Sequence, residues 1–496
     1  MLFNSFPFLL LFLPVVLAGF FALGALSRRV AAGWLALSSL FFYGWWDARF
    51  VALLAASIVF NFVCGRTLHA QQARRGGGIP RAMLAFAVCA NLALLGYFKY
   101  TNLLLSTVNA ALDAHLPLAN IVLPLGISFF TFTQIAFLVD SARGEAREYN
   151  FTHYVLFVTY FPHLIAGPIL HHREMMPQFE DPVTYRPSCA SMALGLSYFS
   201  IGLFKKCVIA DGFAADVAGV FGPPQQGAAA LGVLGAWKGA IAYTLQLYFD
   251  FSGYSDMAIG LSRMFSVRLP FNFDSPYRAT NIIEFWRRWH MTLSRFLRDY
   301  LYYPLGGNRK GQVRRYMNLM VTMLLGGLWH GANWTFLAWG GLHGAYLIIN
   351  HWWRAARPAP LLESVPVSFR RVGATILTFA AVVVAWVFFR SPDFATAVRV
   401  LTAMAGVNGT GTFNSAAAPD SWYWHYIVAL CIVFFLPNTQ QIIEGARRQA
   451  MGADGPFGTV PIKWRPSAVW GAICAAFMAY SMLTFTKVSE FLYFQF

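Results

Sequence analysis

Charged residues are scarce in this sequence: 12% of its 496 positions are Asp, Glu, Lys or Arg, against about 25% in an ordinary soluble domain. With 57% hydrophobic residues and a mean hydropathy of +0.52, that deficit excludes a typical soluble enzyme and indicates a polytopic membrane protein. Acidic residues are scarcer still, 21 against 37 Lys and Arg, which leaves a net charge of +16. The basic residues punctuate apolar runs instead of forming a patch, as cytoplasmic loops do under the positive-inside rule. The expected partner is the lipid bilayer, not nucleic acid. The six cysteines include no C-x-x-C pair and no zinc-ligand spacing, so disulfides and a metal site are not expected. There is no Walker loop, no G-x-G-x-x-G and no G-x-S-x-G, which removes support for nucleotide hydrolysis, dinucleotide redox chemistry and the nucleophile elbow. No Lys or Arg precedes the apolar run Phe6–Leu26, which is long enough to span, so it reads as a retained first helix.

Apolar segments recur near 5–27, 31–46, 49–65, 82–104, 118–139, 151–170, 188–210, 228–262, 316–350, 372–390, 422–436 and 466–485. At about 20 residues per crossing, this predicts an all-α polytopic membrane protein of roughly ten to twelve transmembrane helices, with interfacial and re-entrant helices. Arg28 and Arg29 follow the first span, and Arg66, Arg74, Arg75 and Arg81 follow the third. That asymmetry places the N-terminus outside and the 66–81 loop in the cytoplasm. The intervening loops are too short to bury cores of their own. No internal repeat is visible, and a single membrane domain over 1–496 is expected.

The region from Asn272 to His351 carries the chemistry. Residues 281–303 read NIIEFWRRWHMTLSRFLRDYLYY, and on a helix at about 100° per residue Glu284, Arg287, Arg288, Arg295, Arg298 and Asp299 share about a third of the circumference. Glu284/Arg288 and Arg295/Asp299 are also (i, i+4) pairs. This predicts one amphipathic helix in the membrane interface. His290 falls on its apolar side and should point into the protein.

Residues 316–353 contain no Asp, Glu, Lys or Arg and are too long for one crossing. Gly326, Gly327, Gly331, Gly340, Gly341 and Gly344 would permit a break, a kink or close helix packing. His330 lies fifteen residues beyond Arg315, about 20 Å along a helix at ~1.5 Å per residue. An ionisable group at that depth is costly and is by default a functional candidate, and imidazole suits proton transfer near neutral pH. His343 and His351 are read as packed histidines. His163, His171 and His172 lack metal-ligand spacing. Tyr248, Asp250 and Asp256 sit in QLYFDFSGYSDMAIG, where the carboxylates line a polar channel or anchor an arginine; the pattern does not separate these.

FDFSGYSDMAIG, NFDSPYRATNIIEFWRRWHMTLSRFLRDYLYYPLGGNRKG and GGLWHGANWTFLAWGGLHG, in that order, resemble the membrane-bound O-acyltransferase family, in particular its bacterial branch that acetylates alginate and similar exopolysaccharides. The match is detailed over about 248–344. The resemblance implies a multi-helix fold around a central tunnel, with His330 of W-H-G essential for acyl transfer and His290 of W-R-R-W-H as the second histidine. It also implies acetyl-CoA as a cytoplasmic donor substrate, no tightly bound cofactor, periplasmic acetyltransferase partner proteins, a polysaccharide synthase complex nearby, and location in the bacterial inner membrane. Within that scheme Asn333 or backbone N–H groups near Gly331 are candidate oxyanion donors, with Asp250 and Tyr248 as further oxyanion or channel candidates. Arg287, Arg288, Arg309 and Lys310 are candidates for the donor's phosphates. The rival reading is a transporter or polysaccharide-export channel whose histidines and carboxylates relay protons.

Overall fold

The computed structural model describes residues 1–74, 76–146, 150–223, 231–356, 366–410, 423–450, 462, 464–485 and 491–492. Among these the apolar runs are largely helical, apart from 118–126 and 160–170, and no strand occurs, as lipid demands of backbone groups that cannot reach water. Five helices are long and apolar enough to cross a membrane: Pro7–Leu26, Arg49–Arg74, Arg81–Leu112, Cys189–Ala210 and Val367–Arg390. The pair Tyr423–Phe435 and Thr439–Gly445, bent by 46°, makes a sixth if counted as one span. Of the other apolar runs, some form shorter helices such as Ile127–Ala142 and Ala468–Leu483, while 228–262 and 316–350 form the long helices Val233–Met264, Gly311–His330 and Trp334–Ala356, which are not among the five.

The chain divides into two compact units. The first comprises Met1–Leu203, Tyr254–Phe271 and Pro466–Phe494. Its interior includes a cluster of Cys64, Leu68, Ala87, Leu138 and Ala142. Several polar side chains buried in it pair across helices. Asn61 and Asn91 exchange amide hydrogen bonds of 3.1 and 2.7 Å, and Gln134 donates to Ser57 at 2.9 Å while accepting from Tyr154. Such bonds join helices where water cannot compete. His172 and His171 meet the buried Asp140 at 3.2 and 3.7 Å.

The second unit comprises Phe204–Gly253, Asn272–Arg465 and Gln495–Phe496. Its central feature is a helical hairpin, Gly311–His330 followed by Trp334–Ala356. The 316–350 run therefore breaks at 331–333, where Gly331 is extended (φ −163°, ψ 152°) and Asn333 Oδ1 accepts the N–H of Thr335 to start the second helix. Glycine sets the spacing of the hairpin. A Cβ on Gly327 would lie 2.3 Å from the Phe336 carbonyl oxygen, and one on Gly340 would lie 2.3 Å from that of Met323. The two backbones touch because no side chain stands between them. Val367–Arg390 packs beside Trp334–Ala356, with Trp386 stacked on Trp339 at 5.6 Å.

Candidate active site

The stretch expected as a single amphipathic helix over 281–303 is three pieces: Ile282–Arg288, Met291–Leu297 and a π-helical turn Arg298–Tyr302. Asn281 caps the first, its side chain accepting the Glu284 N–H at 3.0 Å. Glu284 in turn accepts from the N–H and hydroxyl of Thr280 and from Arg288. Burial alone would raise its carboxyl pKa, but these donors and the Arg288 charge outweigh it and hold the group below its ordinary value. The break has an identifiable cause. The preceding segment competes for the backbone: Asp274 N–H donates to the Arg288 carbonyl at 2.9 Å and Met291 N–H to the Asn272 carbonyl at 3.0 Å. Trp289 is pulled into extended backbone (φ −98°, ψ 129°), and His290 into the left-handed region (φ 42°, ψ 56°). A projection at fixed angle per residue cannot register donors that come from ten or more residues away.

His290 is fully buried, as its apolar-side position predicts, although the geometry that buries it is a kink and not a helix face. Its Nδ1 lies 3.0 Å from Asn272 Oδ1 and its ring is edge-on to Phe251 at 4.8 Å. It lies outside the candidate spans, and burial pushes its pKa well below the ordinary histidine value. His330, 5% exposed, ends the first helix of the hairpin. Trp339 and Phe389 flank it, each at 5.1 Å between ring centroids, and Trp329 lies at 4.9 Å. The His290 and His330 rings are 6.4 Å apart, so two histidines forty residues apart in sequence converge in one buried aromatic surround. His343, beyond Trp339, accepts from Trp286 Nε1 at 3.3 Å and is fully buried, as expected of a packed histidine. His351 meets Arg315.

The other candidates divide by what they touch. Asp250, 2% exposed, is held by Lys206 Nζ at 2.8 Å, and Lys206 also meets Asp211 at 2.7 Å. The partner of Asp250 is therefore a lysine and not the arginine expected as one of the two readings. Lys206 went unnoticed in the sequence although it is a charge within the apolar run 188–210, which is the signal that would have found it. Tyr248 is buried among Phe273, Tyr277 and Trp289. The Asn333 amide is engaged at both ends, donating to the Pro392 carbonyl at 2.7 Å and accepting from Thr335. Arg288 is buried, paired with Glu284 at 2.8 Å and donating to the Asp274 carbonyl. Arg287, Arg309 and Lys310 are exposed.

Two buried imidazoles thus come together beside the turn of a glycine-packed helical hairpin in an all-helical membrane protein. Residues 95–389 match the model of MBOAT, the membrane-bound O-acyltransferase family, and the chain belongs to that family; it is an acyltransferase. It is 43% identical over 438 residues to the "Peptidoglycan O-acetyltransferase" of Helicobacter pylori, covering 82% of this chain and 80% of that protein. It is 41% identical over 488 residues to "Probable alginate O-acetylase AlgI" of Pseudomonas aeruginosa, covering 94% and 89%. A more distant similarity, 28% over 251 residues, connects it to the "Teichoic acid D-alanyltransferase" of Streptococcus thermophilus, covering 46% and 57%.

Proposed function

We propose that this acyltransferase carries acetyl from a cytoplasmic thioester, acetyl-CoA, towards an extracytoplasmic hydroxyl, serving O-acetylation of an exopolysaccharide such as alginate or cellulose. The observation that carries this reading is the convergence of His290 and His330 at 6.4 Å in a buried aromatic surround. The two relatives above, whose names specify acetyl transfer and a glycan, support the choice of group and acceptor.

A hydroxyl is a weak nucleophile at neutral pH. In this scheme the acceptor oxygen attacks the thioester carbonyl carbon while its proton passes to a neutral imidazole, assigned to His330. The tetrahedral intermediate then collapses, the C–S bond breaks, and the departing thiolate takes up the proton to leave as a thiol. General-base assistance of this kind contributes about 10²–10⁴-fold. Because the Asn333 amide group is occupied, backbone N–H groups of the extended 331–333 turn are the better candidates for the oxyanion. Arg287, Arg309 and Lys310 are assigned to the donor's phosphates, as exposed cations of the same unit.

The charge asymmetry of the first loops supports an N-terminus on the periplasmic side of the inner membrane. Periplasmic acetyltransferase proteins and a polysaccharide synthase are the proposed partners. The test is incubation of the purified protein with radiolabelled acetyl-CoA and an acceptor. Acetyl transfer lost in His330→Ala at normal membrane abundance supports the reading. Transfer retained in that variant removes the base assignment. Proton-coupled solute flux without thioester cleavage would support a transporter, and preference for a D-alanyl carrier would change the donor.

A further inference from the structure

A neutral imidazole accepts a proton at one nitrogen only, and which one depends on what the other nitrogen faces. At His290 the neighbours decide it. Asn272 Oδ1 lies 3.2 Å from the Thr292 backbone N, 3.0 Å from Thr292 Oγ1 and 3.0 Å from His290 Nδ1. A backbone N–H can only donate, so the Asn272 atom that receives it is the oxygen, and a flipped amide is excluded. An amide oxygen can only accept, so His290 Nδ1 carries the hydrogen. The lone pair is therefore on Nε2. We propose that Asn272 is a positioning residue for acyl transfer: it holds His290 as the Nδ1–H tautomer and makes Nε2 the nitrogen that accepts a proton or hydrogen bond from the reacting groups. This rests on the reading of His290 as part of the transfer site.

Two further observations support the assignment. His290 is one of four non-glycine residues at positive φ among the described residues, a conformation uncommon for any side chain with a Cβ. Asn272 fixes it twice, through its own carbonyl to Met291 N–H and through its side chain to Thr292, so a single residue sets both the backbone kink and the ring's protonation. The Asn272 side chain is also fully buried, with its Nδ2 amine lacking a hydrogen-bond partner among the described residues. Besides Asn272, the groups facing the His290 ring among the described residues include Phe251 from the Val233–Met264 helix and Trp329 and His330 from the hairpin. His330 is the titratable one. Asp250, next to Phe251, is paired with Lys206.

The test uses the full-length protein in lipid nanodiscs with ¹⁵N-labelled histidine, the His290 signals being assigned by difference against His290→Gln. The expected spectrum has Nδ1 protonated and Nε2 bare, and Asn272→Leu loses that fixed tautomer. In the acetyl-CoA assay, Asn272→Leu should lower kcat by about 10²-fold with KM little changed. Asn272→Asp keeps the acceptor for Nδ1 but adds a negative charge that favours the imidazolium. It should retain transfer, with the acidic limb of the pH profile displaced upward by about one to three pH units. A bare Nδ1 in the wild type, wild-type kcat in Asn272→Leu, or an unmoved profile in Asn272→Asp would each overturn the proposal. If Asn272→Leu does not fold, the wild-type spectrum and the Asn272→Asp profile still decide. Absence of any transfer by the wild type would refute the proposed function, while the spectrum would still judge Asn272.

Discussion

Replacing Lys206 with methionine should be among the most damaging single changes in the second unit. The Lys206 side chain is 1% exposed and lies 2.8 Å from Asp250, itself 2% exposed, and 2.7 Å from Asp211, which is 22% exposed. At an effective dielectric of about 20, each contact has a Coulomb energy of about 6 kcal/mol. Desolvation of the three ions offsets most of that, several kcal/mol per ion. The asymmetry between variants is what counts. Methionine fills the volume but leaves the buried Asp250 charge without its lysine, a change that costs about 3–5 kcal/mol. Asp250→Asn removes the buried charge itself and leaves Lys206 with Asp211, so its cost should be smaller. The double variant should recover part of the loss of Lys206→Met, with a coupling of about 1–3 kcal/mol. Thermal unfolding of the purified protein, followed by tryptophan fluorescence at one scan rate, should rank them wild type, Asp250→Asn, double variant, Lys206→Met. The spread from first to last should be about 10 °C, at roughly 2–4 °C per kcal/mol. A Lys206→Met protein as stable as wild type, or an Asp250→Asn protein that melts below it, would refute the reasoning.

Gly340→Ala places a methyl 2.3 Å from the Met323 carbonyl oxygen; it should cost about 1–3 kcal/mol and reduce the yield of monodisperse protein on size exclusion. For Glu284 the folded pKa is depressed, so its stabilisation is present above about pH 4.3, the unfolded value, and is lost as pH falls through the lower folded value. Discounted for its partial exposure, Glu284→Gln should cost about 1 kcal/mol at pH 7, and its melting temperature should converge on that of wild type in acid. Tyr426 donates to Asp216 at 2.6 Å, beside Lys238 at 3.3 Å. Tyr426→Phe should lose about 1–2 kcal/mol while transfer per folded molecule is unchanged; a fall in specific activity would give this cluster a part in the reaction.

The membrane class and the all-helical fold were legible because hydropathy is a local property, summed over windows that the bilayer itself defines. The break at 331–333 was legible in part, since a charge-free run too long for one span and rich in glycine left a break, a kink or close helix packing as the options. The two histidine motifs were found for different reasons, His330 by depth and His290 by its departure from the polar arc. What stayed hidden depends on partners distant in sequence. The kink at His290 comes from Asn272 and Asp274, the role of Asp250 from Lys206, and the occupation of Asn333 from Pro392. Arg288 illustrates the same limit: its charge marked it as a ligand candidate, while its burial and its bond to the Asp274 carbonyl were not visible in the sequence.

The tight seam between Gly311–His330 and Trp334–Ala356 bears on how such a protein diversifies. With carbonyl oxygens standing where β-carbons would be, the seam admits no larger side chain at Gly327 or Gly340. Variation that admits new donors or new acceptors should therefore fall on the residues around the seam and spare both glycines.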